Sequence, residues 1–224
     1  MTDIDTNVYQ TLERGALEMG VALSDAQIHS LLAYLKLLEK WSKVYNLTAV
    51  REPSAMVTHH VLDSLAVIAP LRVQLEDMNL TQPARLLDVG SGAGLPGVVI
   101  AICFPEITVH CVDTVAKKAA FIQQTAVALK LPNLRGVHAR VEKLTDKYDV
   151  VSSRAFASLV DFTQWSRCAL ADHGMWMAMK GKHPGDEMAA LPASVNVFHV
   201  EQLVVPGLDA DRCIIWMRSS TPAM

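Results

Sequence analysis

The stretch RLLDVGSGAGLPGVVIAI, residues 85–102, constrains the fold of this chain more than any other segment. An apolar run ends at Val89. Five residues with glycine at 90, 92 and 94 follow, and a second apolar run begins near Leu95. The pattern predicts a strand, a tight turn and a helix, the unit from which parallel α/β sheets are assembled. A turn so poor in side chains lets the backbone reach φ values that a Cβ disfavours and lets a ligand approach closely.

The rest of the chain extends this unit into a sheet. From Ala84 onward, strand-like runs at 84–90, 107–113, 134–140, 148–154 and 174–181 alternate with helical stretches at 95–104, 115–129 and 158–170, with a turn at 142–145. Such alternation implies a doubly wound, parallel sheet. After Gly181 a helix is expected near 184–191. Two strand runs follow at 195–205 and 211–219, joined by PGLDAD, which contains no helix and so implies an antiparallel hairpin. The first 80 residues read as helical. Ser24 with Gln27 makes a capping-box pattern, and Ile28, Leu31, Leu32, Leu35, Leu38 and Trp41 follow at helical spacing. Lys36, Lys40 and Lys43 share one face of that helix. Pro53 begins a further helix over Ser54–Pro70, and LEDMNLTQPA is expected as a connector. The reading is a helical extension, residues 1–80, packed on an α/β domain, residues 81–224.

Composition excludes several classes. The longest apolar run, Val98–Phe104, is too short to span a bilayer, and the first ten residues carry no basic n-region. A cytoplasmic protein with no membrane partner is expected. Cys103, Cys111, Cys168 and Cys213 lie far apart with no C-x-x-C pair, so reduced thiols and no metal site are expected. His59 and Asp63 stand at the i, i+4 spacing that suits metal ligation, but no third ligand accompanies them. Structural roles are assigned to His59, His60 and Asp63, with His60 also placed to close over a pocket. Net charge is −3, yet residues 114–154 hold eight Lys/Arg against three Asp/Glu. That local excess is either a polyanion footprint or ordinary solubilising charge.

Two glycine frames overlap in the loop. Gly92-x-Gly94-x-x-Gly97 matches a dinucleotide fingerprint. In that fingerprint, however, the first glycine follows strand 1 directly, which is Gly90, and the third would then fall at Leu95. The frame Gly90-x-Gly92-x-Gly94, preceded by Asp88, resembles the first motif of S-adenosylmethionine enzymes. Asp113, ending the second strand, suits the ribose hydroxyls of an adenosine in either frame, and it also suits the cap of the following helix.

Five parallel strands and a terminal hairpin resemble the class I methyltransferases, with a mostly parallel seven-stranded sheet. The segments WSKVYNLTAVREP, HHVLDSL, LLDVGSGAGLPGVVIAI, ARVEKL and SSRAFASL together resemble the bacterial 16S rRNA guanine-N7 methyltransferase G family, from about Ser24 to Arg218. The resemblance implies S-adenosylmethionine as methyl donor. It implies a single guanine of 16S rRNA, in the decoding region, as acceptor, presented as naked rRNA or as the 30S particle. It implies that Gly90, Gly92 and Leu95 line the methionine end and ribose, that Asp113 lies near the ribose, that Val141 and Glu142 frame the adenine, and that Arg154 faces the reacting centre.

Amine-methylating relatives carry an Asn/Asp-Pro-Pro-Tyr/Phe segment after the fourth strand; here that segment is SSRAF. Guanine N7 carries no proton, so no catalytic general base is expected. Lys36, Lys40, Lys43 and Arg51 are candidate phosphate contacts and Phe156 a candidate stacking ring for RNA, against solvated-face and core readings of the same residues. A monomer is expected. The rival functions are a class I methyltransferase acting on a small molecule or protein, and an NAD-dependent oxidoreductase.

Overall fold

A computed structural model describes residues 3–50 and 52–220 of the 224-residue chain. Helices α1 (Asp3–Glu18) and α2 (Asp25–Tyr45) come first. A broken helical stretch follows: α3 (Pro53–Met56), a π-helical turn over Val57–Leu62, α4 (Asp63–Leu65) and α5 (Ile68–Asp77). Then come β1 (Arg85–Val89), α6 (Gly97–Cys103), β2 (Thr108–Asp113), α7 (Ala116–Ala128), β3 (Leu134–His138) and a 3₁₀ turn at Val141–Lys143. The chain continues with β4 (Tyr148–Arg154), α8 (Leu159–Ser166), β5 (Leu170–Lys180), α9 (Gly185–Ala189), β6 (Val195–Leu203) and β7 (Arg212–Ser219).

The seven strands form one sheet in the order β3-β2-β1-β4-β5-β7-β6. β1 to β5 are parallel, and β7 runs antiparallel to both β5 and β6. The expected hairpin is therefore present, with its second strand inserted between β5 and β6. Strand alternation sends Leu86 to one face of the sheet and Leu87 to the other, and both faces are covered, as a parallel sheet requires. One face packs α8 through Leu159 and Phe162 against Leu87, Val151 and Trp176. The other packs α6, α7 and the N-terminal helices in a single continuous core.

α2 begins where expected. Ser24 Oγ accepts from the Gln27 N–H at 3.3 Å and the Ser24 N–H donates to Gln27 Oε1 at 2.9 Å, closing the capping box. Its apolar stripe, Ile28, Leu31, Tyr34, Leu35 and Leu38, is buried. The helix ends at Asn46 in the left-handed conformation, φ 49°.

The next helical stretch departs from expectation. It does not stop at Pro70, which falls in the first turn of α5, and the break lies at Ala66–Val67. A proline in a first turn gives up no needed N–H, so it does not end the helix. Taken together, Ser54–Asp77 spans 24 residues, and its most apolar 18-residue window has a mean hydropathy of 1.2, apolar and long enough to cross a membrane. Here 67% of its most apolar window is buried in the fold, where it forms much of the core beneath α1.

The N-terminal helices also reach the glycine turn. The Tyr34 hydroxyl, fully buried, donates to the Ala93 carbonyl at 2.8 Å. Tyr34→Phe deletes this donor and leaves a buried carbonyl without it. The expected loss is about 1–2 kcal/mol in urea denaturation; a stability equal to that of the parent contradicts this role.

Candidate active site

The turn after β1 leaves the sheet between β2 and β4. Gly90 takes φ +65°, and its N–H donates to the Val112 carbonyl at 2.9 Å, so the chain reverses without breaking its bond to β2. Space as well as φ requires glycine here, because a Cβ would stand 2.2 Å from the Phe156 ring. A second position where space demands a missing side chain is Gly97, at the start of α6. A Cβ there would lie 2.3 Å from Cys111 Sγ and 3.0 Å from Asp88 Oδ2, so its absence brings the helix down onto the sheet.

Asp88 anchors that approach. Its carboxylate is fully buried, accepting from the Gly97 N–H at 3.1 Å on one oxygen and from Ser152 Oγ at 2.9 Å on the other. It lines neither of the clefts described below, so it shapes the loop from beneath. Burial pushes its pKa up to about 7, against the opposing effect of these two hydrogen bonds.

Asp113, at the carboxyl end of β2, faces the same loop. One oxygen accepts from the Val115 N–H at 2.8 Å and the other from the Gly92 N–H at 3.0 Å, with Lys118 Nζ 3.6 Å away. The helix-capping role is thus present, and the same carboxylate ties the glycine loop to the start of α7.

Two clefts open along the carboxyl ends of the strands and share Gly90 and Ala155. The first, of 480 Å³, is lined by Asp113, Val115, Val141, Glu142, Phe156 and Trp165 among others. The second, of 540 Å³, is lined by the loop from Gly90 to Ala93, by Leu95, and by Thr48, His60, Asp63, Arg154 and Arg212 among others. Both volumes fall in the range of small-ligand sites, and the position is where ligands bind in open α/β sheets.

The structure therefore brings Gly90, Gly92, Leu95 and Arg154 to one cleft and Asp113, Val141 and Glu142 to the other, with Gly90 common to both. Phe156 lies in the first cleft, its ring over Gly90 and edge-on to Phe162 and Trp165 at centroid distances of 6.4 and 5.8 Å. Lys36, Lys40 and Lys43 are exposed on α2 and line neither cleft; Lys43 pairs with Glu39 at 2.8 Å. Arg51 lies outside the described residues.

Sequence reading missed the chemistry of the second cleft. Asp63, 3% exposed, accepts from Arg154 Nη1 at 2.7 Å and from Arg212 Nε at 2.6 Å. Arg154 Nη1 also donates to the His59 carbonyl at 3.2 Å, a contact made from the π-helical turn. His60 Nε2 lies 2.7 Å from Thr48 Oγ1, and burial lowers its pKa, which favours the neutral ring. Lys180 pairs with Glu187 at 2.8 Å. Among the described residues, Asp63 is the one carboxylate lining this cleft.

A sheet of this order, with a glycine-floored cleft at its switch point and a strand-end carboxylate beside it, defines a class I S-adenosylmethionine-dependent methyltransferase. A solved S-adenosylmethionine-dependent methyltransferase from Aquifex aeolicus superposes with a TM-score of 0.52 at 16% identity, covering 74% of this chain and 98% of that one. Sequence comparison narrows the class. Residues 27–215 match the family described as rRNA small subunit methyltransferase G. The chain is 65% identical over 214 residues to the ribosomal RNA small subunit methyltransferase G of a Polaromonas strain, covering 96% of this chain and 95% of that one. It is 64% identical over 218 residues to the protein of the same name from an Acidovorax strain, covering 96% of each. This chain belongs to the ribosomal RNA small subunit methyltransferase G family.

The buried Asp88 makes a pH prediction. Its pKa is near 7 in the folded chain and about 3.9 when unfolded, so between those values the folded state holds the extra proton. Its contribution to stability is full below pH 4 and is lost as pH rises through 7. Urea denaturation of the parent and of Asp88→Asn at pH 5 and pH 8 checks this. The parent should lose on the order of 2 kcal/mol relative to the variant over that interval. A pH-independent difference contradicts it.

Proposed function

We propose that this chain transfers the methyl group of S-adenosylmethionine to N7 of one guanine in the decoding region of 16S rRNA, as a cytoplasmic monomer acting on free rRNA or on the 30S particle. The observation that carries the reading is the second cleft, whose one carboxylate among the described residues, Asp63, is already shared by two arginines. An exocyclic amine needs a carboxylate or amide oxygen to accept hydrogen bonds from its N–H groups and hold it in place, and β4 runs into Arg154, Ala155 and Phe156 instead. Guanine N7 presents a lone pair in the base plane and has no proton to lose.

The residues present fit the donor. The first cleft offers Asp113 for ribose hydroxyls, its carboxylate oxygens each keeping a lone pair beyond their backbone bonds. Val115, Val141 and Trp165 offer apolar walls for an adenine, with Glu142 beside them. Gly90, Gly92 and Leu95 floor the passage to the second cleft, where a Cβ on Gly92 would meet nothing closer than 3.9 Å. When bound, the cofactor supplies an electrophilic methyl on a positively charged sulfur.

Catalysis then rests on placement. Holding the two partners in line over Gly90 is the kind of proximity gain worth roughly 7–11 kcal/mol in good cases. The product base is cationic, so a bare guanidinium beside N7 opposes reaction. Asp63 pairs with Arg154 and fixes its guanidinium, which is left to hold the cofactor carboxylate. Tyr34, through Ala93, and Asp88, through Gly97, hold the loop at its height.

The test uses 30S particles from cells lacking this enzyme and cofactor labelled in its methyl group. Label should enter 16S rRNA at one site, and borohydride reduction followed by aniline should cleave the RNA there, because that chemistry is specific to N7-methylguanine. Labelled RNA that resists cleavage overturns the N7 assignment. The maximal rate should stay flat between about pH 6 and 9, since no base titrates. Arg154→Ala should raise the dissociation constant for S-adenosylhomocysteine tenfold or more while changing the maximal rate far less; an unchanged affinity removes Arg154 from the cofactor site.

A further inference from the structure

Asp63 stands at a junction that the donor site does not explain. It opens α4 directly after the π-helical turn, with its side chain almost wholly buried, and each of its oxygens takes one arginine. Arg154 arrives from the end of β4 and Arg212 from the first residue of β7. In the sheet order β4-β5-β7 those strands are two positions apart, so the carboxylate bridges the cleft's rim.

The charges do not balance. Two guanidinium groups share one carboxylate, which leaves one positive charge in excess. Among the described residues, the other cation lining this cleft is Lys180, which is matched by Glu187 and also donates to the Ala157 carbonyl at 2.9 Å. The excess therefore resides on the Asp63 pair.

Donors are in excess as well. Arg212 spends Nε on Asp63 and Nη1 on the Asp211 carbonyl at 2.8 Å, so Nη2 has no partner among the described residues. Its guanidinium is fixed by two bonds while its side chain keeps 24% exposure. A planar, always-charged fork held on a buried carboxylate is a preorganised anion seat, matched in shape to a phosphate.

We propose that Arg212 is a substrate-binding residue: on the Asp63 bridge, it takes a phosphodiester of the acceptor RNA beside the nucleotide to be methylated. Guanine is neutral before reaction and cationic after it, so the base itself gives no reason for a surplus cation, whereas a backbone phosphate does. Arg154 and Arg212 thereby divide the cleft. The first meets the anionic end of the cofactor, the second the anionic backbone of the acceptor, and Asp63 sets the distance between them. The inference rests on the rRNA methylation reading above.

The experiment compares full-length parent, Arg212→Gln and Arg212→Lys. S-adenosylhomocysteine affinity is measured by calorimetry, and methyl transfer to 30S particles is followed from 50 to 200 mM salt. For Arg212→Gln the account expects cofactor affinity within twofold of the parent and an RNA KM at least tenfold higher. It also expects a dependence of log affinity on log salt shallower by about one unit, the signature of one lost phosphate contact. Arg212→Lys keeps a charge for Asp63 but loses the fork; it should keep the parent's salt slope and raise the RNA KM at least threefold.

An RNA KM and salt slope equal to the parent's in both variants overturns the proposal. So does a loss of cofactor affinity as large as the loss of RNA affinity, which would give Arg212 to the cofactor carboxylate. Failure of the underlying reading is distinct, because the parent itself would then transfer no methyl to the particles.

Discussion

The site depends on how the chain leaves β1. At Gly90 the backbone turns into a left-handed conformation while its N–H still bonds to β2, and by Gly97 a helix is already lying on the sheet. That sharp exit opens a side-chain-free floor between two clefts. Three buried groups hold it from different directions. Asp88 grips the helix start from beneath, Asp113 ties Gly92 to α7, and Tyr34 reaches from the N-terminal helices to Ala93.

This arrangement ties the N-terminal helices to the clefts. They share one apolar core with the sheet, and they also supply Thr48, His60 and Asp63 to the second cleft. The π-helical turn turns the His59 carbonyl toward Arg154 and sets Asp63 between two strands' worth of arginine. Irregular helical turns of this kind recur where a functional side chain must be re-aimed.

Much of the fold was legible because its signals are local. The strands are short runs of Val, Ile, Leu and Met whose alternation follows the pleat, and the capping box of α2 lies within four residues. The glycine spacing located the loop, and its register separated the two cofactor frames. What stayed hidden was set by distance along the chain. Asp63 meets Arg154 and Arg212 from 91 and 149 positions away, and no spacing rule connects them. Its only local cue was a pairing with His59 that suggested metal ligation. Pro70 misled because proline ends a helix in its interior but is tolerated in a first turn. Asp88 entered the sequence reading as the residue before the glycine frame; a single carboxylate inside an apolar strand also signals the buried anchor it forms.

The central claim is that the floor at Gly90 seats an adenosyl sulfonium across both clefts. A crystal structure of the chain with S-adenosylhomocysteine tests it most directly. The account predicts ligand density that begins beside Asp113 and Val141, passes its sulfur over Gly90 and ends its carboxylate near Arg154. A loop that instead grips a dinucleotide pyrophosphate at the start of α6, with no adenosyl ligand over Gly90, contradicts it.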